Sequence, residues 1–257
     1  MDPLSPSGLA VVGVGLASGV LSGMVGIGGA VVTTPGIRFL GATPIEAIGS
    51  TIPAILPSAL SGTWRYARAG LVDWRIALTC GVLGSGFAVL GAEVSSVVNA
   101  HALMLLTAGL LAFSAWQAAR PRPPAPADAT QPPLLSLVRL AAVGAAAGFV
   151  AGLLGVGGGI IMVPAFVAVL HLPLKVAVAS SLVSVAIFSV PAMAAHAWLG
   201  HIDWTFALLL VAGVIPGAQL GAHLTIAGSE DRLRLVIAVL LGVVAVAYGA
   251  RELAALV

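Results

Sequence analysis

Two clusters of glycines are the residues of this sequence whose types and spacing point most directly to chemistry. Each cluster interrupts an apolar stretch with a helical pattern, and the members are Gly26, Gly28 and Gly29, then Gly155, Gly157, Gly158 and Gly159. Because a glycine in a helix interior costs about 1 kcal/mol relative to alanine, such a cluster predicts a break in the helix. The half-helix that follows, from near Ala30 or Ile160, presents unpaired N–H groups and the positive end of its dipole. We therefore predict an anion site at each break; the alternative is a packing kink without a ligand.

Short hydroxyl side chains follow each cluster at matched places, and these are Ser50 and Thr51, then Ser180 and Ser181. A hydroxyl near a helix start can donate to an oxyanion and so add to the exposed amides. The alternative is that each hydroxyl caps its helix or bonds back to it. We predict that these four hydroxyls belong to the anion site. Polar residues of second rank are Thr33, Thr34, Ser184, His196 and Gln219.

Acidic side chains are absent from the middle of the apolar segments, where a carrier of metal cations needs buried oxygen anions. Glu46 and Glu93 fall near segment ends, and Asp73 and Asp203 fall in predicted loops. The single cysteine, Cys80, lies in an apolar segment and indicates neither a disulfide framework nor a metal cluster. We therefore predict no metal site and no cofactor.

The composition defines the elements that must position these residues. Of the 257 residues, 60% are hydrophobic and 8% are charged, and the mean hydropathy is +1.12. A soluble domain could not cover its surface with so few charges, so the sequence predicts an all-α polytopic membrane protein. The net charge of +2, without a basic run, argues against nucleic acid as a partner. A helix needs about 20 apolar residues to span the hydrocarbon layer, and about eight such segments are present: 8–33, 45–63, 75–98, 102–119, 137–163, 175–195, 205–226 and 233–250.

The sequence repeats itself over most of its length. Gly19–Pro35 matches Gly148–Pro164 at an offset of 129 residues, with glycines at the same places. Later landmarks follow at an offset of 130, and these are Ser50 with Ser180, Asp73 with Asp203, and Gly91 with Gly221. Low-complexity membrane sequence imitates a single motif but not an ordered series. We predict two homologous repeats of four segments, residues 1–119 and 137–257, joined by a proline-rich linker at 120–136.

A glycine also recurs every four residues ahead of each cluster, at Gly15, Gly19 and Gly23 and again at Gly144, Gly148 and Gly152. This small-xxx-small pattern predicts a flat helix face against which another backbone can pack closely. We assign these six glycines to helix packing rather than to ligand binding.

The basic residues favour one of two topologies. If all eight segments cross with the N-terminus inside, seven basic residues are cytoplasmic and four are outside. If segments one and five are re-entrant hairpins broken at the glycines, nine are cytoplasmic, and only Arg38 and Arg251 are outside. The positive-inside rule favours the second arrangement. The sequence therefore predicts two inverted repeats whose first segments enter the membrane and return.

An intramembrane enzyme is the competing class, with Ser18 or Ser22 as nucleophile and a histidine as base. No spacing pairs either serine with a histidine, and an enzyme would leave the duplication unexplained. We predict that the chain is not an enzyme. A channel or a receptor for an anion remains compatible with broken helices.

The motifs resemble those of a known family. The glycine pattern closing in proline, at Gly19–Pro35 and Gly148–Pro164, and the hydroxyl pairs that follow are similar to the TauE/SafE family of sulfite and organosulfonate exporters. The resemblance covers residues 8 to 250, and its second copy is the more typical, since Ala30 and the Thr33–Thr34 pair depart from the pattern. It implies a permease of the prokaryotic cytoplasmic (inner) membrane that moves sulfite, sulfoacetate or related sulfonates, often outward.

Together these observations predict a membrane transporter, an exporter of small sulfur-containing oxyanions, with alternating access around an anion site at the two broken helices. Its expected partners are the small anionic substrate and membrane lipid, and a homo-oligomer is compatible with the sequence. The alternative is an anion channel, or a permease for another small organic or inorganic anion.

Overall fold

The structure, a computed structural model, describes residues 6–120 and 133–254. Within these ranges every regular element is an α-helix, and the ten helices are α1 (Pro6–Val25), α2 (Ala30–Phe39), α3 (Pro44–Arg68), α4 (Trp74–Val97), α5 (Ala100–Ala119), α6 (Pro133–Leu154), α7 (Gly159–Ala168), α8 (Leu174–Trp198), α9 (Trp204–Ala227) and α10 (Glu230–Ala254). The predicted linker at 120–136 lies largely outside the described residues, and α6 begins at Pro133, before the predicted linker ends.

Two of the eight predicted segments each form a pair of helices, so ten helices stand where about eight segments were expected. Segment 8–33 divides into α1 and α2, and segment 137–163 divides into α6 and α7. The intervals between the paired helices, 26–29 and 155–158, contain the glycine clusters except for Gly159, which is the first residue of α7. The predicted helix breaks are therefore confirmed. Six helices are long and apolar enough to cross a membrane, namely α1, α4, α5, α6, α8 and α9.

Polar residues at the loop ends define where several helices begin. Thr43 and Glu46 form a reciprocal capping box at the start of α3. The carboxylates of Asp73 and Asp203 accept amide hydrogen bonds at the starts of α4 and α9. Two residues at corresponding sequence positions therefore start two helices of 24 residues each.

The glycine stripes pack α1 against α9 and α6 against α4, as the small-xxx-small pattern predicts. A methyl group built on Gly19 would lie 2.5 Å from the Val214 carbonyl oxygen of α9, and one on Gly144 would lie 2.6 Å from that of Cys80 in α4. The other stripe glycines meet backbone in the same way: Gly15 and Gly23 on α9, Gly148 and Gly152 on α4. Each stripe thus packs on a helix from the other side of the linker.

Helix directions follow from which residues meet. Helices α1 and α9 run parallel, because Gly15 meets Leu210 and Gly23 meets Ala218. Helices α3 and α9 also run parallel, since residue 50 contacts residue 203, residue 61 contacts 215 and residue 65 contacts 223. Between them α2 returns alongside α1, where Gly36 abuts Val14. Hence α1 and α3 run in one direction, with α2 folded back between them.

Helices α6 to α8 repeat this arrangement around α4. Both α6 and α8 run parallel to α4: residue 144 meets residue 80 and 152 meets 88, while residue 180 contacts residue 73 and 184 contacts 77. The remaining helices, α5 and α10, form an antiparallel pair in which Gly242 faces Ala115 and Gly249 faces Ala108.

We expect Gly19→Ala to lower the thermal unfolding temperature of the purified protein in detergent, with a cost of about 1–3 kcal/mol for overpacking. The added methyl would meet the α9 backbone, which cannot rotate away as a side chain can. The matched control is Gly13→Ala on the same helix, because nothing lies within 4 Å of a methyl group there. Equal unfolding temperatures for the two variants would contradict this account of the α1–α9 contact.

Candidate functional site

The two helix breaks have the same backbone conformation and meet inside the protein. Gly28 and Gly29 have φ angles of 85° and 94°, and Gly157 and Gly158 have 89° and 64°, a left-handed region that side chains with a Cβ rarely adopt. A methyl group on Gly157 would lie 2.6 Å from the carbonyl oxygen of Ile27. The two breaks are therefore in direct backbone contact.

Hydroxyls from across the protein bind the freed carbonyl groups of the breaks. Ser181 Oγ on α8 donates to the Gly26 carbonyl oxygen at 3.0 Å, and Thr51 Oγ1 on α3 lies 3.3 Å from that of Gly155. Each hydroxyl also lies within hydrogen-bond distance of a carbonyl one turn back in its own helix. Thr51 and Ser181, which were predicted to belong to the anion site, thus lie at the breaks. Thr51 precedes the linker and contacts the break that follows it, and Ser181 follows the linker and contacts the break that precedes it.

Ser50 and Ser180 lie one position earlier and bind loops. The Asp203 amide donates to Ser50 Oγ at 2.7 Å, and the Asp73 amide donates to Ser180 Oγ at 2.9 Å. Both hydroxyls are fully buried. Each serine oxygen accepts one hydrogen bond from a loop N–H, so the hydroxyl hydrogen of each serine can still donate to another acceptor.

The second-rank residues fall into four positions. Thr33 and Thr34 are buried just after the first break and donate to the carbonyl groups of Gly29 and Ala30, and Thr34 Oγ1 also lies 3.3 Å from Thr51 Oγ1. Ser184 is buried between α8 and α4, where its Oγ donates to the Ala77 carbonyl oxygen at 2.7 Å. Gln219 is half-buried on α9. It lines neither of the cavities that touch the breaks.

His196 is fully buried and binds the helix that precedes the second break. Its Nε2 lies 2.9 Å from the Gly152 carbonyl oxygen, just as the Tyr66 hydroxyl donates to that of Gly23 at 2.7 Å. Its Nδ1 lies 3.1 Å from Nδ1 of His201. Burial lowers the pKa of His201 in the loop after α8, so that ring is neutral at pH 7. Because a carbonyl oxygen only accepts, His196 donates to Gly152 from Nε2, and its Nδ1 is left as an acceptor. The hydrogen bond between the two rings therefore runs from His201 Nδ1–H to His196 Nδ1.

A cavity of about 50 Å³ touches both breaks. It lies against Val25 and Ile27 on one side and the first residues of α7, Gly159 and Ile160, on the other. Its polar lining consists of Ser114 and Gln117 on α5 and Arg234 on α10. A water molecule needs about 15 Å³ by this measure, so the cavity has room for about three waters or a group of similar size.

Arg234 and Gln117 are site residues that sequence reasoning missed. Arg234 makes no hydrogen bond or ion pair with the described part of the chain, and Gln117 Oε1 is buried without a partner there. In the sequence, Arg234 counts only among the nine cytoplasmic basic residues of the inverted topology, at the start of segment 233–250. A glutamine near the end of an apolar segment was the available signal for Gln117, but nothing local indicates that α5 and α10 pair here.

A smaller cavity of about 10 Å³ touches the start of α2, with room for about one water. Its lining includes Ser18, Ser22, Gly29 and Val31. Three apolar residues line both cavities and separate them: Val25, Ile27 and Leu241. Each half-helix start therefore faces a cavity of its own, and the two cavities differ in size.

Known proteins of similar sequence are membrane transporters. The pattern of the family described as "Sulfite exporter TauE/SafE" matches residues 11–248. The probable membrane transporter protein YunE of Bacillus subtilis (strain 168) is 32% identical over 81% of this chain and 85% of its own length. A probable membrane transporter protein of Xylella fastidiosa (strain 9a5c) is 31% identical over 84% of each chain. No solved structure matches.

The family match and the six apolar helices agree. The matched residues extend from α1 to α10 and include both breaks and both cavities. The relatives and the apolar helices indicate an integral protein of the prokaryotic inner membrane. This chain belongs to the TauE/SafE family of membrane transporters.

Proposed function

We propose that the protein exports small sulfur-containing oxyanions, such as sulfite or an organosulfonate, from the cytoplasm. The observation that carries the proposal is the cavity in which the start of α7 and Arg234 face the same space. The family description names sulfite export, and the chemistry of this cavity is suited to such a cargo.

The lining favours a negative charge. The start of α7 carries about half a positive charge. Of its first amides, those of Gly159, Ile161 and Met162 donate to the Gly157 and Gly158 carbonyl groups of the break, while Ile160 lines the cavity. Arg234 adds a full positive charge, and its planar guanidinium can bond two oxygens of one oxyanion. Among the described residues, no aspartate or glutamate lines the cavity. The residues expected to contact the anion are Gly159 and Ile160 with Gln117 and Arg234, because these line the cavity. Gly157 and Gly158 form the turn that leads into α7, and Val25 and Ile27, at the earlier break, form the facing wall.

The hydroxyls Ser50, Thr51, Ser180 and Ser181 hold the breaks and loops in this structure. Their role in binding is therefore proposed as indirect here: they keep the broken backbone in shape. A change of state that releases one of these bonds would free a donor for the anion.

The helix directions support two inverted repeats. Because α2 folds back along α1, the first hairpin enters and leaves on one side of the membrane, and α6 with α7 does the same from the opposite side. In this arrangement each repeat crosses three times, with α3, α4 and α5 matched by α8, α9 and α10. Helices α3 and α10 cross with 25 residues each, whereas α1 and α6, although apolar enough to cross, enter the membrane and return through α2 and α7. The positive-inside rule places Arg234 and the larger cavity on the cytoplasmic side.

The two unequal cavities support alternating access. The larger cavity reaches the ends of α5 and α10 on the proposed cytoplasmic side, and the smaller one lies beyond Val25, Ile27 and Leu241. We infer an inward-facing state in which these three residues close the path. An anion channel, the second candidate, would open both cavities at once.

We expect Arg234→Gln to weaken sulfite transport in proteoliposomes by about 10–100-fold in apparent affinity, the range for a lost charge-assisted hydrogen bond. The matched control is Arg232→Gln, two residues earlier on α10, where the side chain is exposed and lines no cavity touching the breaks. Loss of the same charge at residue 232 should leave transport unchanged. Equal effects of the two changes would mean that Arg234 acts through surface charge alone.

We expect sulfite or an organosulfonate to raise the unfolding temperature of the purified protein, because a ligand stabilises the folded state that binds it. The panel compares sulfite, sulfoacetate, taurine, sulfate and chloride at one ionic strength. Selective stabilisation by a sulfur oxyanion, lost in Arg234→Gln, is the expected result. Stabilisation by chloride alone would favour the second candidate, a pathway for another anion.

Single cysteines can distinguish a transporter from a channel. In a Cys80→Ala background, we expect Ser114→Cys in the larger cavity to react with a small thiol reagent and Ser22→Cys in the smaller one to resist it. Conditions that shift the protein to an outward-facing state should reverse the order of the two labelling rates. Rates that rise and fall together would contradict alternating access.

A further inference from the structure

A basic groove lies between the ends of α3 and α9, away from the two cavities that touch the breaks. Its volume is about 350 Å³, and its lining residues are Trp64, Arg65, Arg68, Ala69, His223 and Ile226. In the part of the chain that the structure describes, no acidic side chain lines the groove. The groove therefore concentrates positive charge on a surface that no part of the proposed transport path uses.

The cations of the groove are held in place by their neighbours. The Arg68 guanidinium lies 4.8 Å from the centre of the Trp64 ring, a cation–π distance. Arg65 Nη2 lies 3.0 Å from His223 Nδ1, so α3 and α9 are joined at the groove. Lys175 Nζ donates to the carbonyl oxygen of Ile226 at 2.9 Å and adds a further positive charge beside the wall.

An apolar surface continues from the groove along the same helices. Leu60 is one turn before Trp64 on α3, and Leu220 and Leu224 flank His223 on α9. All three leucines are about half exposed. A basic pocket next to exposed leucines on a membrane-spanning helix fits a ligand with an anionic head and an apolar tail.

The repeated sequence provides an internal comparison. At the positions 130 residues away, Arg65 corresponds to Ala195 and Arg68 to Trp198, while His223 corresponds to Glu93. Ahead of Ser50 the repeats match at an offset of 129, and at that offset Lys175 corresponds to Glu46. The four cations thus have no basic counterpart at the matched positions of the other repeat, where acidic or neutral residues stand.

We propose that this groove binds the phosphate headgroup of an anionic phospholipid from the cytoplasmic leaflet, with the acyl chains along Leu60, Leu220 and Leu224. Under the positive-inside topology the groove lies at the cytoplasmic face, where basic pockets between helices attract anionic headgroups. Trp64 is at the depth where amphipathic rings meet the headgroup layer. The lipid would clamp α3 to α9, the two helices that run parallel on either side of the first hairpin.

The test measures lipid binding to the purified full-length protein by native mass spectrometry and by thermal unfolding. The probes are phosphatidylglycerol, phosphatidylcholine with the same acyl chains, and inorganic phosphate. We expect phosphatidylglycerol to bind most tightly and to raise the unfolding temperature, while the other two have little effect. Inorganic phosphate acting as strongly as phosphatidylglycerol would overturn the lipid assignment and indicate a free anion instead.

The matched variants carry the same change in net charge. Arg65→Gln with Arg68→Gln should weaken phosphatidylglycerol binding about 30-fold, at about fivefold per arginine. Arg75→Gln with Arg232→Gln removes two exposed charges that do not line the groove and should leave binding within about twofold. Should the first pair fail to fold, Arg65→Lys with Arg68→Lys keeps the charge and should retain most of the binding. Equal losses in the two glutamine pairs, or equal binding of both lipids, would overturn the proposal.

Discussion

The rest of the structure depends on how two interrupted backbones are satisfied at membrane depth. Hydrocarbon offers no hydrogen bonds, so a helix can break there only where protein supplies partners for the freed groups. Here the partners are crossed: Ser181 donates to Gly26, and Thr51 lies beside Gly155. Each break is completed by a helix from the opposite side of the linker. Each set of helices thus contributes to the break of the other, although Ser18 of α1 also donates to the Gly29 carbonyl oxygen of its own break.

The glycine stripes impose the same crossed arrangement on the helices that carry the breaks. Helix α1 packs on α9, and α6 packs on α4, at distances only glycine permits. Two bundles of parallel helices result, α1 with α3 and α9, and α6 with α8 and α4. If the protein alternates its access, the rigid units are these mixed bundles rather than the halves before and after the linker. The contacts of Ile27 with Gly157 then lie between the moving units.

The near-symmetry of the backbone contrasts with the asymmetry of the side chains around it. Arg234 and Gln117 border the start of α7, whereas the start of α2 faces only a small cavity with Ser18 and Ser22. Two half-helix starts of similar backbone geometry would attract an anion about equally, and the full charge of Arg234 favours the start of α7 in the proposed anion binding. Substrate selection in such a protein can therefore change through a few side chains on α5 and α10 without altering the fold.

The sequence by itself determined the features that depend on local composition. Apolar runs of about 20 residues require helices, the clusters at Gly28 and Gly157 require breaks, and glycines every four residues require a close helix neighbour. The family could also be identified from the spacing of these motifs. Only the tertiary structure decided which helices meet, that Thr51 and Ser181 bind the opposite breaks, and that Arg234 lines a cavity with the start of α7. The physical reason is that local pattern fixes which face of a helix is buried, whereas its partner is chosen by contacts between residues 100 or more positions apart.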